Sequence, residues 1–102
     1  MVENIEETTV GMLGDIRVAM ANMVFEGSYE RADGSTAAGL ACVLVPLDGS
    51  DAKYWVGLDS RVTIGGAHWQ VTGISKPRHG NGSISLRSVD IQDLERGMSQ
   101  NR

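Results

Sequence analysis

The sequence predicts an all-β fold: a small antiparallel β-sandwich or barrel of six to seven strands with a short C-terminal helical turn. Short runs in which apolar and polar residues alternate at period two cover most of the chain. Thirteen glycines and several turn-forming pairs separate these runs. The length of 102 residues suits one domain. We expect an N-terminal tail over 1–7, a single β domain over 8–91, and a C-terminal turn and frayed tail over 92–102.

The first half of the domain is predicted to contain strands on both sides of the Gly14–Asp15 turn. Residues 8–12 alternate before this turn, and residues 16–21 alternate after it, with Ile, Val and Met on one face and Arg or Ala on the other. Alanine and methionine also favour helices. We favour a strand, because Ile16-Arg17-Val18 is poor chemistry for a helix N-terminus and the apolar run continues into Val24 and Phe25.

The middle of the chain predicts a long polar loop and two more strands. The loop is expected from Glu26 to Thr36, where Gly, Ser and Asp are frequent. Ala37 to Val45 is apolar on both faces, which is typical of a central strand or of one covered on both sides. Cys42 lies in this run and is expected to behave as a small buried hydrophobe. Ala52 to Leu58 predicts the next strand.

Gly65 and Gly66 predict a two-residue β-hairpin, because glycine accepts the positive φ angles of such turns. The predicted pairs are Arg61 with Gln70, Val62 with Trp69, Thr63 with His68, and Ile64 with Ala67. Trp69 then lies on the apolar face as a core anchor, and His68 lies on the polar face. A bulge near Gly73 is expected to return Ile74 to the core. Ser75 to Gly82 predicts a basic loop, and Ser83 to Arg87 the last strand.

Composition excludes several kinds of chemistry. The chain has 9 Lys+Arg against 13 Asp+Glu, and this net charge of -4 argues against nucleic acid as a partner. One cysteine and two histidines at unrelated positions predict neither a disulfide, nor a metal site, nor a cofactor. No nucleophile motif or pair of carboxylates predicts catalysis. No export signal or long apolar run is present, so we expect a cytoplasmic protein without a membrane partner.

The candidate binding residues fall into two groups. Tyr29 and Arg31 are expected in the first polar loop and Arg78 in the second, since loops on a rigid β scaffold often carry recognition residues. Trp55 and His68 are expected on strand faces. The position of Trp55 leaves two alternatives open: a core with two sides, or an exposed interface.

Two resemblances to known families accompany these patterns. The run Leu58 to Ile74, the closing Ser85 to Val89, and Gly14 to Asn22 resemble small uncharacterised actinobacterial all-β domains, for which no activity is assigned. The segment around Gly65, Gly66 and Trp69 also resembles phage head–tail joining proteins. That resemblance implies a small β-barrel that assembles into the ring of a virion neck.

Three classes of function therefore remain open. The favoured class is a non-catalytic β-domain that acts through contacts with a protein partner or through self-assembly, with virion-neck assembly as its most specific version. The second is a cofactor-free barrel that binds a small apolar ligand, such as a cyclase or isomerase of secondary metabolism, with Met12, Met20 and Met23 lining its cavity. The third is a toxin-neutralising immunity protein, because an acidic chain suits a basic toxin.

Overall fold

Two four-stranded antiparallel sheets form the fold in the computed structural model, which describes residues 2–49 and 51–89. The strands are β1 Val2–Glu6, β2 Val10–Leu13, β3 Ile16–Glu30, β4 Thr36–Pro46, β5 Tyr54–Gly57, β6 Arg61–Ile64, β7 Ala67–Ser75 and β8 Ser83–Val89. Sheet I has the order β1-β8-β7-β6, and sheet II has the order β2-β3-β4-β5. The all-β class is confirmed, with eight strands instead of six to seven. The helical turn and frayed tail expected over 92–102 lie outside the described residues.

One apolar core lies between the two sheets and receives side chains from all eight strands. Its buried members are Ile5, Leu13, Val18, Met20, Met23, Cys42, Leu44, Val56, Val62, Ile64, Trp69, Val71, Ile84 and Leu86. Trp69 is the largest of them and is only 2% exposed, so its predicted role as core anchor is confirmed. Because these side chains point inward, the residues that alternate with them form the outer faces of the two sheets.

The predicted Gly-Gly hairpin joins β6 to β7. Gly65 and Gly66 have φ angles of 63° and 78°, and the four cross-strand pairs are those expected from the sequence. Further along β7, the register against β8 shifts between Val71 and Gly73, which is the predicted bulge. After it, Ile74 stands opposite the buried Ile84 and packs against the core. Two successive glycine-dependent features therefore set which residues of β7 face inward.

The N-terminal segment is not the tail that was expected over 1–7. Val2–Glu6 is β1, which pairs antiparallel with β8 along the edge of sheet I. Ile5 is fully buried, and it stands opposite Ile84 and beside Gly11, where an added Cβ would lie 2.6 Å from Ile5 Cγ1. Three glutamates made this segment resemble a solvated tail, but one apolar side chain in the right register is enough to seat an edge strand.

The polar loop expected from Glu26 to Thr36 is also largely wrong. β3 continues to Glu30 and β4 begins at Thr36, so the connection contains only residues 31–35. The polar residues of 26–30 belong to a strand whose register against β4 shifts twice, between Ala21 and Val24 and between Val24 and Gly27. These irregularities obscure the period-two pattern, and the glycine and serine of this strand resemble turn residues.

Two corners join the sheets. At the first, Glu7 to Thr9 leads from β1 to β2, and the Thr8 N–H donates to Met20 O at 3.0 Å. At the second, Asp59 and Ser60 lead from β5 to β6, and Ser60 is 1% exposed. The Ser60 hydroxyl donates to Glu30 O at 2.7 Å and accepts from the Gly57 N–H at 3.0 Å. This second corner therefore fixes the end of β3 as well as β5.

Cys42 lies on β4 and faces the core, where it is completely shielded from solvent. Burial raises the pKa of its thiol to about 12, because a thiolate would lose its hydration there. The expectation of a small buried hydrophobe is confirmed.

Candidate functional site

The outer face of sheet II is apolar across three consecutive rows of paired residues. The rows are Val10–Ala19–Val45, Ala21–Val43–Trp55 and Val24–Ala41–Gly57. We call these nine residues the apolar face. Three of its larger members are exposed, Val10 by 47%, Val24 by 40% and Trp55 by 40%, while Val43 and Val45 are partly buried. An apolar patch that continues over four strands is unusual on the surface of a monomer and is typical of an interaction site.

Two aromatic side chains cross β4 on this side of the sheet. β4 separates β3 from β5, yet Trp55 of β5 reaches Gly27 of β3, where an added Cβ would lie 3.0 Å from Trp55 Cζ2. In the reverse direction, Tyr29 of β3 reaches Gly57 of β5, where an added Cβ would overlap the tyrosine ring. Each ring therefore lies on the glycine of the other strand, in the space that a side chain there would occupy.

Small residues make this crossing possible. Ala41 of β4 is completely buried beside Gly27, where an added Cβ would lie 2.7 Å from the Ala41 Cβ. Tyr29 is only 9% exposed, whereas Trp55 presents part of its indole to solvent. The structure thus brings two of the predicted binding residues, Tyr29 and Trp55, onto one sheet. Tyr29 is a packed strand residue and not the loop residue that was expected.

The outer face of sheet I is polar. One row crosses all four strands and consists of Val2, Arg87, Gln70 and Arg61, and we call its three polar members the arginine row. The Arg61 guanidinium donates from Nη2 to Gln70 Oε1 at 3.4 Å, and Arg61 Nε is buried without a hydrogen-bond partner among the described residues. His68 lies in the next row, and its Nδ1 is hydrogen-bonded to the Thr63 hydroxyl at 2.9 Å.

The remaining candidates, Arg31 and Arg78, lie in separate loops. Arg31 is exposed in the β3–β4 connection, where its N–H donates to Ser35 O at 2.8 Å. Asp33 in the same connection accepts from the Ser35 hydroxyl at 2.6 Å, and this hydrogen bond lowers the pKa of the Asp33 carboxyl. Arg78 is exposed in the β7–β8 connection. Neither arginine joins the apolar face or the arginine row.

The basic loop is partly neutralised from the first corner. Lys76 Nζ donates to Glu7 Oε1 at 2.6 Å, and the Gly82 N–H donates to the same oxygen at 3.0 Å. The pKa of Glu7 is therefore lowered, first by the Gly82 hydrogen bond and then by Lys76. This leaves Arg78 as the cation of that loop without an ion pair among the described residues.

Sequence reasoning did not combine the strands into the apolar face, although its signals were present. Residues 19 and 21 are alanines where a solvated strand usually carries polar side chains, and β4 is apolar on both faces. These signals indicate a second buried face only when β2, β3, β4 and β5 are known to be neighbours. The three methionines that were expected to line a cavity do not lie together. Met20 and Met23 are in the core, and Met12 is exposed.

Within 2–49 and 51–89, no group of three or more His, Cys, Asp or Glu side chains is arranged to hold a metal ion. Over the same residues, the structure contains no helix that is both long and apolar enough to span a membrane. Comparison of the chain with protein-family models, with curated proteins and with solved structures gave no match.

Proposed function

We propose that the protein is a non-catalytic β-domain that acts by self-assembly, and that the apolar face of sheet II binds the same face of a second copy. One observation carries the proposal: three consecutive cross-strand rows contain no charged side chain, in a chain of which 22% is charged. The outward side chains of a solvated sheet are mostly polar. The apolar face lacks polar side chains, so its composition is that of a sheet face that packs against another layer.

The dimensions of sheet II suit a second copy of the same sheet. β4 has 11 residues and is about 36 Å long at roughly 3.3 Å per residue. With neighbouring strands about 4.8 Å apart, the whole outer surface of sheet II is on the order of 500–600 Å², and the nine residues of the apolar face cover roughly 300 Å² of it. Two copies packed over this whole surface, with the apolar face at its centre, would bury about 1,000–1,200 Å² in total, which suits a weak, concentration-dependent dimer.

The shape of the face supports an isologous pair. In a two-fold arrangement the same patch meets itself, so each protruding group needs a shallow region on the partner. The Trp55 indole lies across β4 above small residues, and the small side chains of Ala19 and Ala21 form a shallow region on β3. A two-fold axis parallel to β4 would stack β5 of one copy on β3 of the other at the usual spacing of about 10 Å, and would bring each Trp55 near those alanines.

The test is the molar mass of the protein in solution over a range of concentrations, by light scattering or sedimentation. We expect a concentration-dependent dimer for the unmodified chain. Val43→Glu places a charge in the middle row and should give a monomer that remains folded. Thr72→Glu, which adds the same charge on the outer face of sheet I, is the matched control and should leave the dimer intact.

Three outcomes contradict the proposal. An unmodified chain that remains monomeric at high concentration would show that the protein does not act by self-assembly. Equal loss of the dimer in both variants would show that net charge, and not this face, controls association. A closed ring of higher mass would contradict the two-fold pair and would favour the assembly implied by the resemblance to phage head–tail joining proteins.

A further inference from the structure

We propose that the arginine row of sheet I binds a carboxylate of an acidic protein segment. This site lies on the sheet opposite the apolar face and does not depend on self-assembly. It would give the domain a second, polar interaction surface, directed at a partner of opposite local charge.

The charge distribution is the first support. The chain has 13 Asp+Glu, yet β6, β7 and β8 contain none of them. Arg61 and Arg87 are the cationic groups of these strands, and both point outward. Among the described residues the one ion pair joins Lys76 to Glu7, so neither arginine of the row has an acidic partner. The middle of sheet I is therefore locally positive on an acidic protein.

The geometry of the row is the second support. Arg61 and Arg87 both stand opposite Gln70, one on each side of β7. Strands about 4.8 Å apart place the two arginine Cα atoms about 10 Å from each other. Side chains of that length can converge on one carboxylate above Gln70, and the planar guanidinium matches the two carboxylate oxygens.

The hydrogen bonding of Arg61 is the third support. Its guanidinium is half-buried, and its bond to Gln70 Oε1 is 3.4 Å long, beyond the usual range for N–H···O. Its Nε has no partner among the described residues. A guanidinium that has lost part of its water without gaining acceptors is stabilised by a carboxylate on its exposed edge.

The row favours an acidic protein segment over nucleic acid. A nucleic acid presents a continuous series of phosphates, and binding it requires many cationic contacts along one surface. Here two arginines stand in one row of a chain with a net charge of -4. That arrangement is sufficient for one or two carboxylates and has too few cations to follow a nucleic-acid backbone.

The test is a titration of ¹⁵N-labelled protein with a hexaglutamate peptide at about 20 mM salt, followed by NMR. We expect saturable shifts of the Gln70 side-chain amide and of backbone amides in β6, β7 and β8. Arg61→Gln and Arg87→Gln should each weaken binding about twofold to fivefold, the range for one exposed ion pair. Arg78→Gln removes the same charge from a loop outside the row, and it should leave the affinity unchanged.

Any one of three other results would overturn the proposal. The absence of saturable shifts would remove the site, and an equal loss of affinity in Arg78→Gln would reduce it to an effect of net charge. A single-stranded DNA oligonucleotide that shifts the same signals at lower concentration than hexaglutamate would assign the row to nucleic acid. Repeating the titration with the Val43→Glu variant separates this site from self-assembly, because the row should bind equally well in a monomer.

Discussion

Gly65 and Gly66 occupy the same turn but have different surroundings. Both have a positive φ, at which a Cβ is unfavourable by about 1–2 kcal/mol. An added Cβ at Gly65 would also lie 2.5 Å from Ile16 Cγ1, whereas one at Gly66 would meet no atom within 4 Å. The hairpin turn of sheet I therefore packs on the start of β3 in sheet II through Gly65 alone.

Gly65→Ala should consequently be more destabilising than Gly66→Ala. We expect Gly66→Ala to lower the free energy of unfolding by about 1 kcal/mol through backbone strain. Gly65→Ala adds the displacement of Ile16 and should cost about 2–4 kcal/mol. Urea unfolding curves of the two variants measure the difference. Equal losses would show that the turn does not pack against β3.

At the scale of elements, the corner at Ser60 connects strands that are not adjacent in sequence. Its hydroxyl bridges the carbonyl of Glu30, at the end of β3, to the N–H of Gly57, at the end of β5. The Ser60 carbonyl also accepts from the Val71 N–H of β7 at 2.9 Å. A single buried residue thus supports the end of β3 that carries Tyr29, and with it the aromatic crossing on sheet II.

Ser60→Ala should lower the free energy of unfolding by about 1–3 kcal/mol, because it leaves a buried N–H and a carbonyl without their partner. Ser28→Ala is a suitable control, since Ser28 is exposed on β3, and it should change stability by less than about 0.5 kcal/mol. Thermal or chemical unfolding of both variants gives the comparison. A stable Ser60→Ala variant would show that the backbone hydrogen bonds hold this corner without the hydroxyl.

The elements that sequence predicted best are those determined by local chemistry. Gly65-Gly66 between two alternating runs leaves one hairpin register, and β6 and β7 follow it. The strand end at 26–30 was missed because its register depends on irregular pairing with β4, which no local pattern expresses. Tyr29 and Trp55 were both proposed as binding residues, but their placement on one sheet depends on β4 lying between their strands. Contacts of this kind are fixed by topology and not by propensity.

At the scale of the whole molecule, Glu7 joins the corner between β1 and β2 to the β7–β8 connection. It lies in the corner between the sheets, and its carboxylate holds Lys76 and the N–H of Gly82 in the β7–β8 connection. Its lowered pKa means that the folded state binds the ionised form better than the unfolded state does. The resulting stabilisation is fully present above the unfolded pKa and is lost as the pH falls through the folded pKa.

Glu7→Gln should therefore lower the melting temperature at neutral pH, and the difference from the unmodified chain should shrink as the pH falls below about 4. Glu6→Gln removes the same charge from the exposed neighbouring position, which does not contact Lys76 or Gly82, and should show a smaller effect. Melting temperatures from pH 7 to pH 2 test both variants. A difference that persists unchanged at the lowest pH would assign the effect of Glu7→Gln to packing.

The lone thiol of β4 has a consequence for how the domain can be observed. Cys42 is completely buried in the core and has a pKa of about 12, so reagents for thiolates react poorly with it while the core is closed. Reaction at this sulfur therefore requires sheet II to separate from sheet I around Cys42, or the domain to unfold. The chain contains no other cysteine, so with a slow thiol reagent the rate of its modification reports the fraction of molecules whose core is open.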